Sequence, residues 1–97
     1  MRYELTSDID RVISEVDVVY QTRIRPDRVD AQRRQRFAID SAVLRKLKPD
    51  AIILHPLPRT VELDRTVDSD PRALYFKQAI NGLYVRMALL TMLLENN

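Results

Sequence analysis

The residues best placed to do chemistry fall in two short stretches, Gln21-Thr22-Arg23-Ile24-Arg25 and His55-Pro56-Leu57-Pro58-Arg59. The second gathers the chain's only histidine, two of its five prolines and an arginine on five consecutive positions. It follows the aliphatic run Ala51-Ile52-Ile53-Leu54, so it reads as a buried strand stopping at a rigid, polar tip. In open α/β sheets ligands bind outside the carboxyl ends of the strands. The first stretch follows another β-branched run, Val18-Val19-Tyr20, and the two tips are therefore expected on one rim. The chemistry on offer is ligand binding at a rigid, polar rim, not metal or thiolate chemistry. There is no cysteine, and a single histidine argues against a zinc site. With one glycine there is also no Gly-rich phosphate loop.

The elements that position these tips follow from patterning. Tyr3 to Leu5 suits a short strand. Thr6, Ser7 and Asp8 offer N-cap oxygens to an amphipathic helix bearing Ile9, Val12, Ile13 and Val16. Val18 to Tyr20 is the next strand. Residues 23–36 are polar, contain a proline, and read as a loop turning helical towards its end. Asp40 or Ser41 caps a short helix over Ala42 to Lys48, closed by Pro49. Ala51 to Leu54 is a strand, and residues 56–69 are irregular. Asp70 then Pro71, cap and first-turn proline, predicts a helix running to about Glu95, with Gly82 its weak point. Strands alternating with helices predict an α/β fold: a partial doubly wound parallel sheet of about three strands with a long C-terminal helix.

Composition bounds the rest. Ninety-seven residues make one domain near the lower limit for a self-sufficient core, and 45% hydrophobic with 31% charged residues is ordinary for a folded chain. A net charge of +2 is too small to imply nucleic acid. Arg25, Arg28, Arg33, Arg34 and Arg36 form a basic group, but Asp27 and Asp30 offset it and no aromatic interleaves it before Phe37, so a solvated loop is the better reading. The longest apolar stretch, LYVRMALLTMLL, has twelve residues and contains Arg86. A membrane span needs about 20. Met1 to Asp10 has no signal-type apolar core. A cytoplasmic location is expected.

The blocks DVVYQTRI (17–24), KPDAIILHPLPR (48–59) and VDSDPRALYFKQAINGLYVRMALL (67–90), in that order, resemble the aspartate carbamoyltransferase family. The similarity covers essentially the whole chain, as the C-terminal portion of the aspartate-binding domain, residues 1–97. Pro56 after the rim histidine favours the aspartate branch, because the ornithine enzymes commonly have cysteine there. The resemblance implies carbamoyl transfer from carbamoyl phosphate to L-aspartate, in pyrimidine biosynthesis, without metal or organic cofactor. It implies that Arg23 holds a substrate carboxylate, for which a planar guanidinium is suited. It implies that the backbone carbonyls of Pro56 and Leu57 face the reacting groups, held still by proline, with Leu57-Pro58 cis. His55 is read as structural.

Departures from the family pattern sharpen the expectations. Arg25 stands where the family has a glutamine that also contacts aspartate. Thr60-Val61-Glu62 keeps the family glutamate and loses the aspartate before it. The family's phosphate loop, its carbonyl-polarising histidine and two further strands are absent from these residues. Three readings result: a transferase portion inactive alone, one chain of a split enzyme completed by a carbamoyl-phosphate-binding chain, or a non-catalytic oligomeric assembly module reusing the fold. L-Aspartate is expected to bind weakly or not at all. The helix around Leu83 to Leu94, apolar nearly all round, predicts a homo-oligomer with that helix in the interface.

Overall fold

A computed structural model describes residues 1–96. In chain order the elements are α1 (Ile9–Val12), β1 (Val18–Tyr20), α2 (Ala31–Arg36), α3 (Ser41–Lys46), β2 (Ile52–Leu54), a 3-10 turn (Arg65–Ser69) and α4 (Tyr75–Glu95). β1 and β2 pair in parallel, Val18 against Ile52, Val19 against Ile53 and Tyr20 against Leu54. Both strands begin with a pair of β-branched residues and stop before a polar one, Gln21 or His55. Ile53 also bridges to Ala73 on its other side. Its N–H donates to Arg72 O at 2.8 Å and its carbonyl accepts from Leu74 N–H at 3.0 Å. β2 is thus the central line of the sheet.

The expected third strand at Tyr3 to Leu5 does not form; the sheet has two strands. Tyr3 and Leu5 lie exposed and pair with neither strand. Beyond β2, the single bridge at Ala73 takes the place of a further strand. That bridge also explains why α4 starts at Tyr75 and not after Asp70-Pro71. The bridge between Ala73 and Ile53 engages the backbone of Arg72 and Leu74, and the Asp70 carboxylate accepts from Arg72 N–H at 2.9 Å instead of capping a helix. Local helix-start chemistry lost to a sheet contact. Similarly α1 is a single turn ending at Val12, shorter than its apolar periodicity suggested.

α3 begins where expected, the Asp40 carboxylate accepting from Val43 N–H at 3.0 Å. Its carbonyl end is closed by a distant side chain. The Arg72 guanidinium donates to Leu44 O at 3.0 Å and to Leu47 O and Lys48 O at 3.1 Å each. These are carbonyls at and just beyond the helix end, which otherwise need water or a cap. α2 is capped the same way by Asp30 on Arg33 N–H, so residues 23–36 are a loop that becomes helical.

The core joins Ile13, Ile39, Leu47, Ala51, Ile53, Leu63, Val67 and Tyr75, with Val19 packed against it. Because strand side chains alternate, Val18, Tyr20, Ile52 and Leu54 share the opposite face, where Val18 and Tyr20 are exposed. α4 runs unbroken through Gly82 and buries only Tyr75. Leu83, Tyr84, Met87, Leu90 and Leu94 are 54–74% exposed. Among the described residues no helix is long and apolar enough to cross a membrane.

Candidate functional site

Parallel pairing of Tyr20 with Leu54 sends both candidate tips off the same edge of the sheet. The ladder continues one step into the first of them, Gln21 N–H donating to Leu54 O at 2.9 Å. Two grooves open at this rim. One, about 240 Å³, is lined by Tyr20, His55, Pro56, Gln78, Gly82 and Arg86. The other, about 530 Å³, is lined by Arg23, Arg25, Pro26 and Asp27. The structure thus brings Arg23 and Arg25 together and sets Pro56 in a separate groove. Leu57 is half-buried and packs on the core, leaving its backbone as the part available to a ligand.

Arg23 and Arg25 differ in state. Arg25 is held bidentately by Asp27, Nε to Oδ1 at 3.1 Å and Nη2 to Oδ2 at 2.8 Å. A guanidinium fork engaged this way has its carboxylate-binding edge occupied. Arg23 makes no ion pair among the described residues and faces open groove.

The second tip is built on buried polar groups. His55 donates its backbone N–H to Gln78 Oε1 at 2.9 Å, while Gln78 Nε2 donates to the Tyr20 hydroxyl at 3.3 Å. One α4 side chain therefore ties both strand ends together. The His55 imidazole is buried; Nδ1 accepts from Leu57 N–H at 2.8 Å and Nε2 lies 2.9 Å from Glu62 Oε1. Leu57-Pro58 is cis, and Leu57 has φ 47°, left-handed backbone that a branched residue adopts only when its surroundings impose it. Glu62 is buried, which raises a carboxyl's pKa. The hydroxyl and backbone N–H of Thr60, its own backbone N–H and His55 outweigh this and hold it below the usual carboxylate range.

Arg59, the last residue of the tip, is committed to structure. Both its terminal nitrogens bind Asp68, Nη2 to Oδ2 at 2.7 Å, and the Tyr75 hydroxyl donates to the same carboxylate. Its guanidinium sits 5.8 Å from the ring centres of Tyr75 and Phe76. Arg59 brings Asp68 down to about 2, against the opposing effect of burial, with help from Tyr75. Burial and Asp68 push Tyr75 up to about 12. Hydrogen bonds to charged groups contribute about 1.5–3 kcal/mol each, so Asp68→Ala is expected to lower unfolding free energy by roughly 2–3 kcal/mol. The folded-state value lies below the ordinary 3.8, so this contribution is complete above about pH 4 and fades as pH falls towards 2. Urea unfolding of both chains at pH 6 and pH 2.5 checks it: the difference should shrink at the lower pH.

Sequence reasoning singled out the rim but missed Gln78, Asp68 and Tyr75. The one available signal was the i, i+3 spacing of Tyr75 and Gln78, which puts both on the face of α4 that meets β2. Among the described residues no group of three or more His, Cys, Asp or Glu could hold a metal ion.

Comparison with known proteins agrees with this geometry. The family profile for the aspartate/ornithine carbamoyltransferase Asp/Orn binding domain matches residues 1–93. The chain is 48% identical over 100 residues to the chloroplastic aspartate carbamoyltransferase of Oryza sativa subsp. japonica, covering 97% of this chain and 28% of that one. It is 42% identical over 91 residues to the aspartate carbamoyltransferase catalytic subunit of Buchnera aphidicola, covering 90% and 29%. Ligand-free aspartate transcarbamoylase from Trypanosoma cruzi superposes with a TM-score of 0.78 at 41% identity, over 92% of this chain and 28% of that one. The same enzyme with carbamoyl phosphate and aspartate gives 0.76 at 42%, over 84% and 26%. The chain thus spans little more than a quarter of the length of these relatives. It belongs to the aspartate/ornithine carbamoyltransferase family, in the Asp/Orn binding domain.

Proposed function

We propose that residues 1–97 are the C-terminal portion of an aspartate-binding domain, and that they serve carbamoyl transfer to L-aspartate in pyrimidine biosynthesis. The observation that supports this reading is the shared rim: the segment with Arg23, which makes no ion pair among the described residues, follows β1 at the same end of the sheet where the Pro56-Leu57 segment follows β2. Arg23 would take a carboxylate of the amino acid, and the Pro56 and Leu57 carbonyls its amino group and the carbamoyl amide. Arg25 contributes only after leaving Asp27. The carbamoyl-phosphate site would come from a complementary chain or segment. No group in this reading calls for a cofactor. The absence of cysteine suits a reducing compartment such as the cytoplasm, although plant relatives are named chloroplastic.

A second reading, a non-catalytic assembly module, is favoured by the exposed apolar surface of α4. An NMR titration with L-aspartate separates the two. Binding in the millimolar range, with shifts centred on Arg23 and Leu57 and lost in Arg23→Ala, supports the first reading. Shifts elsewhere, or none at tens of millimolar, leave the module. In the same titration Asp27→Asn should strengthen binding about two- to fivefold, because it frees the Arg25 fork from a surface ion pair contributing about 0–1 kcal/mol. Unchanged affinity would show that Arg25 does not reach the ligand.

A further inference from the structure

We propose that His55 and Glu62 form a buried tautomer lock that positions the backbone of Leu57. Its role in ligand binding rests on the rim reading above; the lock itself does not. A backbone N–H can only donate, so the 2.8 Å contact from Leu57 N–H makes His55 Nδ1 an acceptor and therefore unprotonated. A carboxylate can only accept, so the 2.9 Å contact with Glu62 Oε1 puts the ring proton on Nε2. Two partners of opposite kind, on opposite sides of the ring, dictate the same neutral tautomer. An imidazolium would set N–H against N–H at Leu57.

Glu62 is itself immobilised. Thr60 N–H lies 3.1 Å from each carboxylate oxygen and the Thr60 hydroxyl donates to Oε2. The Glu62 carbonyl accepts from Ile39 N–H at 2.8 Å, next to the Ile39–Leu63 bridge of the core. The chain from core to rim is therefore continuous: Ile39, Glu62, His55 Nε2, His55 Nδ1, Leu57 N–H. At its end stands the one described non-glycine residue with positive φ. Burying a histidine and a glutamate, both fully enclosed, stabilises a fold less than apolar residues of the same volume would. Such a pair has a purpose beyond packing when it satisfies a backbone donor that would otherwise be orphaned. Because Leu57 N–H and Pro56 C=O share one peptide plane, fixing the first aims the second. His55 is a positioning residue, acting through the backbone.

The test uses the whole chain, 15N-labelled. Long-range 1H–15N correlation of the imidazole should show a single tautomer, protonated on Nε2; protonation on Nδ1, or a mixture, overturns the lock even if no variant folds. Two substitutions then separate positioning from packing. In His55→Asn the amide oxygen can occupy the place of Nδ1 and keep the Leu57 bond. In His55→Gln the amide nitrogen can occupy the place of Nε2 and keep only the Glu62 bond. Hydrogen exchange at the Leu57 amide should stay within about threefold of wild type in the first and accelerate at least about tenfold in the second, the loss of one hydrogen bond. Equal exchange in both refutes the proposal. If Leu57 responds as stated while L-aspartate affinity does not follow it, the lock stands and the rim reading fails.

Discussion

Incubated with carbamoyl phosphate and L-aspartate, the 97-residue chain is expected to form no carbamoyl-aspartate above the uncatalysed rate. Transfer between two anionic substrates depends on holding both in register and on donors aimed at the charge that develops on the carbonyl oxygen. In the proposed reading the rim's carbonyls and Arg23 address the amino acid. The family's phosphate loop and carbonyl-polarising histidine have no match in these residues. The only histidine is enclosed between Glu62 and Leu57, and the only glycine lies in mid-helix, not in a phosphate loop. Each missing preorganised donor lowers the rate by about 10²–10³, and two or more are missing together with one substrate's site. A colorimetric ureido assay checks this; turnover by the chain alone would overturn the division of labour proposed for it.

The second large effect concerns α4. Purified alone, the chain is expected to have a solution mass at least twice its 11.4 kDa chain mass. Burying a large apolar side chain contributes about 1.5–3 kcal/mol, and α4 holds at least five of them more than half exposed. Self-association recovers that term, and the outer edge of β1, unpaired among the described residues, adds a second incentive. Leu90→Glu isolates the cause. Leu90 is 60% exposed within the chain, so the substitution disturbs no core contact and any change in mass comes from an interface. Light scattering at micromolar concentration should show the variant shifted towards monomer. A monomeric wild type, or a variant unchanged in both mass and stability, would remove α4 from the interface.

Strong local signals were legible in the residues themselves. The β-branched runs at Val18 and Ile52 became the paired strands, Asp40 capped α3, and the apolar run after Leu74 became α4. Signals failed where a distant contact outweighed them. Asp70-Pro71 reads as a helix start only until Ile53 draws residues 72–74 into the sheet. Tyr3 to Leu5 has strand propensity yet pairs with neither strand, although the outer edge of β1 is open. At the site, the composition of the rim marked it out, but its supports did not. Arg59 meets Asp68 nine residues on, and His55 meets Gln78 twenty-three residues on. Those pairings depend on the path of the loop between, which no spacing rule encodes.

The central claim is that these residues are the amino-acid-recognising part of a transferase whose carbamoyl-phosphate site lies outside them. The direct measurement is carbamoyl-aspartate formation as the chain is titrated into a carbamoyl-phosphate-binding portion taken from a related aspartate carbamoyltransferase, with complex formation verified by mass. The account predicts saturable, stoichiometric turnover that neither component shows alone, and its loss by at least about 10² in Arg23→Ala, the order expected for one preorganised charged contact. A verified complex without turnover, or turnover indifferent to Arg23, would contradict it.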